Sequence, residues 1–407
     1  MWKRVLVVGC GALSAWALTH SLGEATVTFA PRINAFRVVA PLVALGLVVV
    51  NTLPDRFTYR AQTIVIVVNW VAWRVTSEAW NVVLAQGLAL AACWAVLRTV
   101  FATTLAGRRA VVLTATGLMF AMLSGEWTWE RPVVGILLQA IVVAGAADLG
   151  GKRDEPLARA FFAANASRST PVPATELLHV DRSISSVATG AAWVSAATGA
   201  YALGSWVQTS QWVDPLRTAA RGEWALGSAQ ALVLWVAVIA EVMGTLFIDA
   251  GVLRMMGIHV GGPLDKPWLA TDFLEYWRRA NTWRYRLMVD GYQRLFMPMA
   301  GPWMPVGIFF TLLMSGVHHA AHARLPFFPF LRWTIEALVC AATAGYRQTR
   351  RQHDIRRWQS SGQLRRQSLA WAVGAALLVI VSHGFLMDIT RGGKATELLI
   401  RGWFGRG

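Results

Sequence analysis

Long apolar runs recur along this chain, and they are the feature that most limits how it can fold. Residues 297–317, for example, contain no charged side chain. A helix needs roughly 17–25 such residues to cross a bilayer, and a chain in lipid must satisfy its backbone hydrogen bonds internally. The pattern therefore predicts an all-α polytopic membrane protein with about eleven transmembrane helices. The predicted spans are 5–21, 38–53, 62–76, 80–102, 110–125, 132–150, 184–206, 224–248, 298–319, 326–345 and 369–387.

The composition supports a membrane protein and argues against nucleic-acid binding. Of the 407 residues, 55% are hydrophobic and 15% are charged, a balance that soluble domains seldom show. The formal net charge of +16 comes from basic residues in short loops between the apolar runs. In such loops they orient a membrane protein and contact anionic lipid headgroups. We therefore expect membrane lipids as partners and no nucleic acid.

The distribution of arginines predicts a cytoplasmic N-terminus. The loop at 346–367 contains seven arginines and the loop at 151–183 is also basic, whereas the loops at 77–79 and 126–130 contain no Lys or Arg. Positively charged loops remain on the cytoplasmic side. Residues 1–17 also have the pattern of a signal peptide, but the many spans that follow favour an uncleaved first helix.

Residues 261–298 differ from the apolar runs because they mix aromatic side chains with charges of both signs. Helical spacing places Phe273, Tyr276 and Trp277 on one face, with the two following arginines largely off it. Trp, Tyr and Arg are common at a membrane interface. We predict an amphipathic or re-entrant helix on the cytoplasmic side.

Three of the eight histidines lie within residues 315–322, at the end of an apolar run. An ionisable group at membrane depth is costly and is therefore a functional candidate. A neutral imidazole can accept the proton of a hydroxyl group, which is a poor nucleophile until that proton is removed. His318 and His322 also have the i,i+4 spacing of metal ligands, but no carboxylate lies nearby in sequence to complete a zinc site. Simple hydrogen bonding at the helix end is a third possibility.

Together the two segments resemble the membrane-bound O-acyltransferase (MBOAT) family. That family has an aromatic-Trp-Arg-Arg segment that ends in His or Asn, and a catalytic histidine on a later helix, often within Gly-Leu-Trp-His-Gly. Residues 276–279 match the first motif, and Asn281 takes the position of its His or Asn. Residues 316–319 match the second, so His319 takes the position of the catalytic histidine. The chain resembles a distant, bacterial-type member.

The resemblance implies an enzyme that transfers an acyl group from a thioester, usually acyl-CoA, to a hydroxyl-bearing acceptor. His319 would be the general base, and His318 is the second candidate for that role. Asn281 would donate a hydrogen bond to the carbonyl oxygen and stabilise its developing charge. The thioester is a co-substrate, and no resident cofactor or metal is implied.

Donor binding is assigned to Arg278, Arg279 and Trp277, because arginine pairs well with phosphate. The donor would enter from the cytoplasm. The acceptor would be an envelope polysaccharide, a lipid or another hydroxyl compound that arrives from the other side or laterally. Bacterial members of the family often acylate envelope polymers, which implies the inner membrane. None of these patterns defines the oligomeric state.

We expect one integral membrane domain over residues 1–407. Its predicted parts are N-terminal helices at 5–150, a cytoplasmic loop at 151–183, a catalytic core at 184–345 with the motifs at 263–322, and a basic loop, last helix and tail at 346–407.

Two other functions fit parts of the sequence. A proton-coupled secondary transporter would use Glu241, Asp249 and His319 as buried proton carriers, although the internal repeats typical of transporters are not visible. A catalytically inactive membrane protein of the MBOAT type is the other alternative.

Overall fold

The computed structural model describes the chain in several stretches. They are residues 1–26, 43–54, 104–124, 130–146, 179–209, 224–267, 270, 272–298, 300–321 and 327–350, together with scattered residues between 57 and 96. Every element within these stretches is helical, apart from one isolated bridge between Val180 and Ile258. The prediction of an all-α chain is confirmed for the described residues.

We number the helices in chain order. They are α1 (Trp2–Thr26), α2 (Val43–Thr52), α3 (Leu105–Ala121), α4 (Glu130–Ala146), α5 (Ile184–Thr209), α6 (Trp224–Met255), α7 (Phe273–Ala280), α8 (Thr282–Met288), α9 (Met304–Ala320) and α10 (Phe327–Arg350). A 3-10 turn, Met122–Ser124, follows α3. A π-helical turn, Val289–Gln293, and one further α-helical turn, Arg294–Phe296, follow α8.

The described helices lie over most of the predicted apolar spans, but they do not establish how many cross a membrane. Within the described residues, one helix, Ala229–Met255, is long and apolar enough to do so. The apolar helices Val43–Thr52, Val133–Gly145 and Met304–Ala320 are shorter. The span predicted at 369–387 lies outside the described residues. The eleven-span topology therefore stays a prediction.

The chain divides into two compact units, and both motif segments fall in the second. The first unit contains Met1–Gly87, Ala158–Gly262 and Gly384–Gly407, and the second contains Leu88–Leu157 and Pro263–His383.

In the first unit, α5 packs against α1 and α6 through small residues. A Cβ on Gly190 would lie 2.7 Å from the carbonyl oxygen of Gly251, and a Cβ on Gly251 would lie 2.6 Å from that of Gly190. Gly11 of α1 makes a similarly close approach to Ala191 of α5. Small residues allow helix backbones to approach in this way, as they do between membrane helices.

In the second unit, α9 and α10 form the main helix pair, and α7 packs beside them. Their shared core includes Trp277 of α7, Ile308 and Leu312 of α9, and Trp333 and Cys340 of α10. Burial of a large apolar side chain contributes roughly 1.5–3 kcal/mol. This core therefore holds the short helix α7 in place against the longer pair.

Gly316 lies at a close contact between α9 and α10, because a Cβ there would lie 2.6 Å from the Cβ of Trp333. We predict that Gly316→Ala pushes the helices apart and lowers the free energy of unfolding by about 1–3 kcal/mol, the usual cost of overpacking. Gly117→Ala on α3 is the matched control, since an added Cβ there meets no neighbouring heavy atom within 4 Å. It is expected to be neutral or slightly stabilising. Thermal unfolding of both variants in one detergent tests this, and equal midpoints would contradict it.

Candidate active site

The segment predicted to form one amphipathic or re-entrant helix is in fact divided into two short helices and a π-helical turn. Asp272 caps the start of α7, where its side chain accepts a hydrogen bond from the N–H of Glu275 (2.9 Å). At Asn281 the backbone leaves the helical region (φ −147°, ψ 81°). The Asn281 side chain then caps α8 by accepting from the N–H of Arg284 (3.0 Å). Asn and Asp favour such positions because their oxygens satisfy unpaired N–H groups, which explains why one predicted helix became two.

The two arginines predicted to bind the donor both contact Glu275. Arg279 donates to the Glu275 carboxylate from Nη2 (2.7 Å) and from Nε (3.0 Å). Arg278 lies 3.5 Å from the same carboxylate, and its side chain is 57% exposed. Arg279 is therefore held in an ion pair on α7, and Arg278 is the more accessible of the two to a phosphate in solution.

Arg284 connects the two sequence motifs. Its Nε donates to the hydroxyl oxygen of Ser315 (3.0 Å), and its Nη2 donates to the carbonyl oxygen of the same residue (3.4 Å). Ser315 is buried on α9, at the start of the histidine segment. The contact therefore brings the Asn281 end of α8 against the helix that carries His318 and His319.

His318 is completely buried and is held by a tyrosine of the π-helical turn. Its Nε2 lies 3.0 Å from the hydroxyl of Tyr292, which lies 2.6 Å from the hydroxyl of Thr116 on α3. Burial raises the pKa of Tyr292 above its usual value, so the phenol is neutral at pH 7. Either the phenol donates to Nε2 or Nε2–H donates to the phenol. In both arrangements Tyr292 fixes the orientation of the His318 ring.

His319 is the next residue but contacts a different part of the structure. Its ring stacks on the indole of Trp333, with the centroids 4.8 Å apart and the planes 14° apart. Its side chain is partly exposed, whereas that of His318 is not. Successive helical residues point about 100° apart. The two neighbouring rings therefore have different surroundings.

A pocket lies against Trp333 and contains about 470 Å³ of empty space, part of it open to solvent. Its side chains with hydrogen-bonding groups include Asn281, Arg284, Tyr285, Gln293, Thr311 and Ser315. The rest of the wall is apolar and aromatic and includes Trp277, whose ring centroid lies 4.7 Å from that of Trp333. A few polar groups in a mainly apolar wall are typical of a small-molecule site.

The pocket follows one face of α9. Ile308, Thr311, Leu312 and Ser315 line it, and their spacing of three and four residues places them on one helical face. His319 lies four residues beyond Ser315, on the next turn of the same face. The lined face of α9 therefore continues toward His319.

Arg284 brings a positive charge to this pocket. Its guanidinium lies 6.0 Å from the ring centre of Trp333, and that of Arg332 lies 5.5 Å from the same ring. Arg332 is paired with Glu336 (2.8 Å). Burial, together with the charge of Arg332, lowers the pKa of Arg284 to about 10. Arg284 therefore remains protonated at neutral pH.

The other candidate residues belong to the first unit or lie outside the described residues. Asp249 is buried on α6, in the first unit. His322 and the side chain of Glu241 lie outside the described residues. Within the part of the chain that is described, no three His, Cys, Asp or Glu side chains are grouped to hold a metal ion. The metal hypothesis depends on His322 and stays a prediction.

The sequence analysis missed Tyr292 and Trp333 as parts of the site, and it did not predict the contact of Arg284 with Ser315. Arg284 and Tyr292 lie in the mixed segment at 261–298, whose unusual composition indicated importance. Trp333 lies in a helix predicted simply as an apolar span, and nothing in its spacing relates it to His319. The contacts of these side chains with residues distant in sequence became visible only in the structure.

No protein-family model matches the sequence, and no curated protein is significantly similar to it.

Proposed function

We propose that the chain is a membrane-bound O-acyltransferase of the MBOAT type. It would transfer an acyl group from a thioester, most simply acyl-CoA, to a hydroxyl of an envelope polysaccharide, a lipid or another acceptor. The observation that carries this proposal is the hydrogen bond from Arg284 to Ser315 (3.0 Å). It links, beside one pocket, the two segments whose motifs resemble that family.

The proposed reaction is attack of the acceptor's hydroxyl oxygen on the carbonyl carbon of the thioester. A C–O bond forms, the C–S bond breaks, and the products are an ester and a thiol. His319 accepts the hydroxyl proton and returns it to the leaving thiolate. Nδ2 of Asn281 donates to the carbonyl oxygen as negative charge develops there. Asn281 lines the pocket, and its side-chain oxygen accepts the cap bond from Arg284 N–H.

His319 is the better candidate for the base because of the surroundings of the two rings. Nε2 of His318 is within hydrogen-bonding distance of Tyr292, and the ring is completely buried. His319 is partly exposed and stacks on Trp333, a residue of the pocket wall. We assign His318 to positioning α9 against the π-helical turn.

The donor would lie along α7. Trp277 lines the pocket and can contact the acyl end, while the exposed guanidinium of Arg278 can attract a phosphate of the donor. Arg279 would act indirectly, since its ion pair with Glu275 stabilises α7.

The proposal also includes a location in the bacterial inner membrane, with eleven spans and a cytoplasmic N-terminus. Large apolar side chains face outward on several helices, for example Leu13, Leu203, Val236 and Leu338. Such outward apolar surface is unusual for a soluble monomer and suits contact with lipid. The 27-residue apolar helix within α6 also supports a membrane location.

Cysteine labelling tests this topology. In a variant without the three native cysteines, Ser360→Cys should be protected from an impermeant thiol reagent in intact cells, because the arginine-rich loop is predicted to be cytoplasmic. Ser77→Cys, in a predicted outer loop, is the matched control and should be labelled. Strong labelling of Ser360→Cys from outside would contradict the proposed orientation.

A direct test of the activity uses the purified full chain with acyl-CoA labelled in the acyl group. We expect release of CoA and transfer or hydrolysis of the label. An absence of both, with proton movement in reconstituted vesicles, would favour the transporter instead.

A further inference from the structure

Arg284 is a mostly buried cation that is not ion-paired within the described residues. Its guanidinium hydrogen bonds go to Ser315, where both acceptors are neutral oxygens. Two guanidinium groups flank Trp333, and Glu336 balances that of Arg332. Buried charges in proteins are normally paired. Among the described residues, Arg284 therefore provides a positive charge at the pocket wall without a carboxylate partner.

Gln293 provides a second, independent observation in the same pocket. Its side chain is 3% exposed, and its Oε1 is buried with no hydrogen-bond partner among the described residues. The two ends of an amide are assigned from their hydrogen bonds and can be exchanged by a flip. Gln293 can therefore present either an acceptor or an NH₂ donor to a bound molecule.

We propose that the pocket binds a carboxylate on a short apolar stem, with Arg284 and Gln293 as its hydrogen-bond donors. Two planar donor groups match the two oxygens of a carboxylate. Trp277, Leu312 and the rest of the apolar wall suit a stem of a few carbon atoms.

The simplest source of this carboxylate is the acyl group itself, which would then be a dicarboxylic acyl group such as succinyl. This assignment rests on the proposed function and narrows its donor. A carboxylate carried by the acceptor is the other source, and the two are separated by the experiments below.

The first experiment measures binding without turnover. Calorimetry compares butyrate with the neutral butyramide on the purified full chain. We expect the Kd of butyrate to be at least about tenfold lower than that of butyramide, because a charge-assisted hydrogen bond typically contributes that much to binding. Arg284→Gln should remove the difference, and Gln293→Met should reduce it. Arg294→Gln is the matched control, because Arg294 is 57% exposed and pairs with Asp290; it should change nothing.

The second experiment compares succinyl-CoA with butyryl-CoA, which has nearly the same length but no terminal charge. If the acyl group supplies the carboxylate, kcat/KM for CoA release should be at least about tenfold higher with succinyl-CoA. The preference should be lost in Arg284→Gln and partly kept in Arg284→Lys. Equal use of both donors, together with selective butyrate binding, would assign the carboxylate to the acceptor.

The outcomes separate this inference from the proposed function. If neither donor releases CoA, the acyltransferase proposal fails, but selective binding of butyrate would still support the carboxylate site. If the wild type binds butyrate no better than butyramide and uses both donors equally, the carboxylate site is wrong while the acyltransferase stands. Both decisions rest on measurements of the wild-type protein, so they hold even if a variant folds poorly.

Discussion

Replacement of His319 by alanine is expected to lower acyl transfer by about 10²–10⁴-fold, the usual contribution of a general base. Trp333 should keep its position without the stacked imidazole, because it also packs against Trp277 (centroids 4.7 Å apart) and is 3% exposed. Folding and donor binding should therefore change little. The measurement is the rate at which the wild type and the variant transfer a labelled acyl group, with both preparations checked to be equally monodisperse.

His318→Gln is the matched variant for this experiment. A glutamine amide can reach Tyr292 and replace the hydrogen bond that Nε2 makes with its hydroxyl (3.0 Å). The imidazole is then removed without leaving the phenol buried and unpaired. We expect a much smaller loss of transfer than in His319→Ala. An inactive His318→Gln beside a fully active His319→Ala would make His318 the base, and full activity in both would reject the acyltransferase.

Asn281→Ala is expected to lower transfer by about 10²-fold, because the loss of one hydrogen-bond donor to a developing oxyanion typically has that effect. It should also destabilise the protein by about 0.5–2 kcal/mol, the cost of losing a helix cap. The cap in question is the hydrogen bond from Arg284 N–H to Asn281 Oδ1 (3.0 Å). Because Arg284 also binds Ser315, a disordered start of α8 would disturb the pocket as well.

Asn281→Asp separates the two contributions. Aspartate keeps an oxygen for the cap but has no NH₂ group to donate to the substrate. Its stability should therefore stay near that of the wild type, while transfer falls at least as far as in Asn281→Ala. Normal transfer by Asn281→Asp would show that Asn281 acts only as the cap of α8. Thermal unfolding and transfer rates of the same preparations supply both measurements.

Apolar patterns alone did not predict where some helices begin and end. The run at 298–319 suggested a helix over its full length, but α9 begins only at Met304. Gly301 has a φ of +77°, outside the helical range, and Pro302 follows it. The next helix, α10, extends past its predicted end at 345 to Arg350. Arg347 there bonds the Asp272 carboxylate, a contact between distant segments that hydropathy does not encode.

The sequence by itself determined the helical class and the two segments where chemistry was expected. Those properties are local, because apolar periodicity and the order of residues in a motif follow from neighbours along the chain. The sequence also identified Asn281, His318 and His319 as candidate catalytic residues, although it could not show that the two histidine rings have different surroundings.

Only the tertiary structure decided those surroundings. Tyr292 lies against His318, whereas Trp333 stacks on His319. Arg284 reaches Ser315 from 31 positions away in the chain. Hydrogen bonds and ring contacts of this kind depend on which helices pack together and at what rotation. A periodic pattern identifies the buried face of one helix, but it contains no information about the side chains of the helix that covers it.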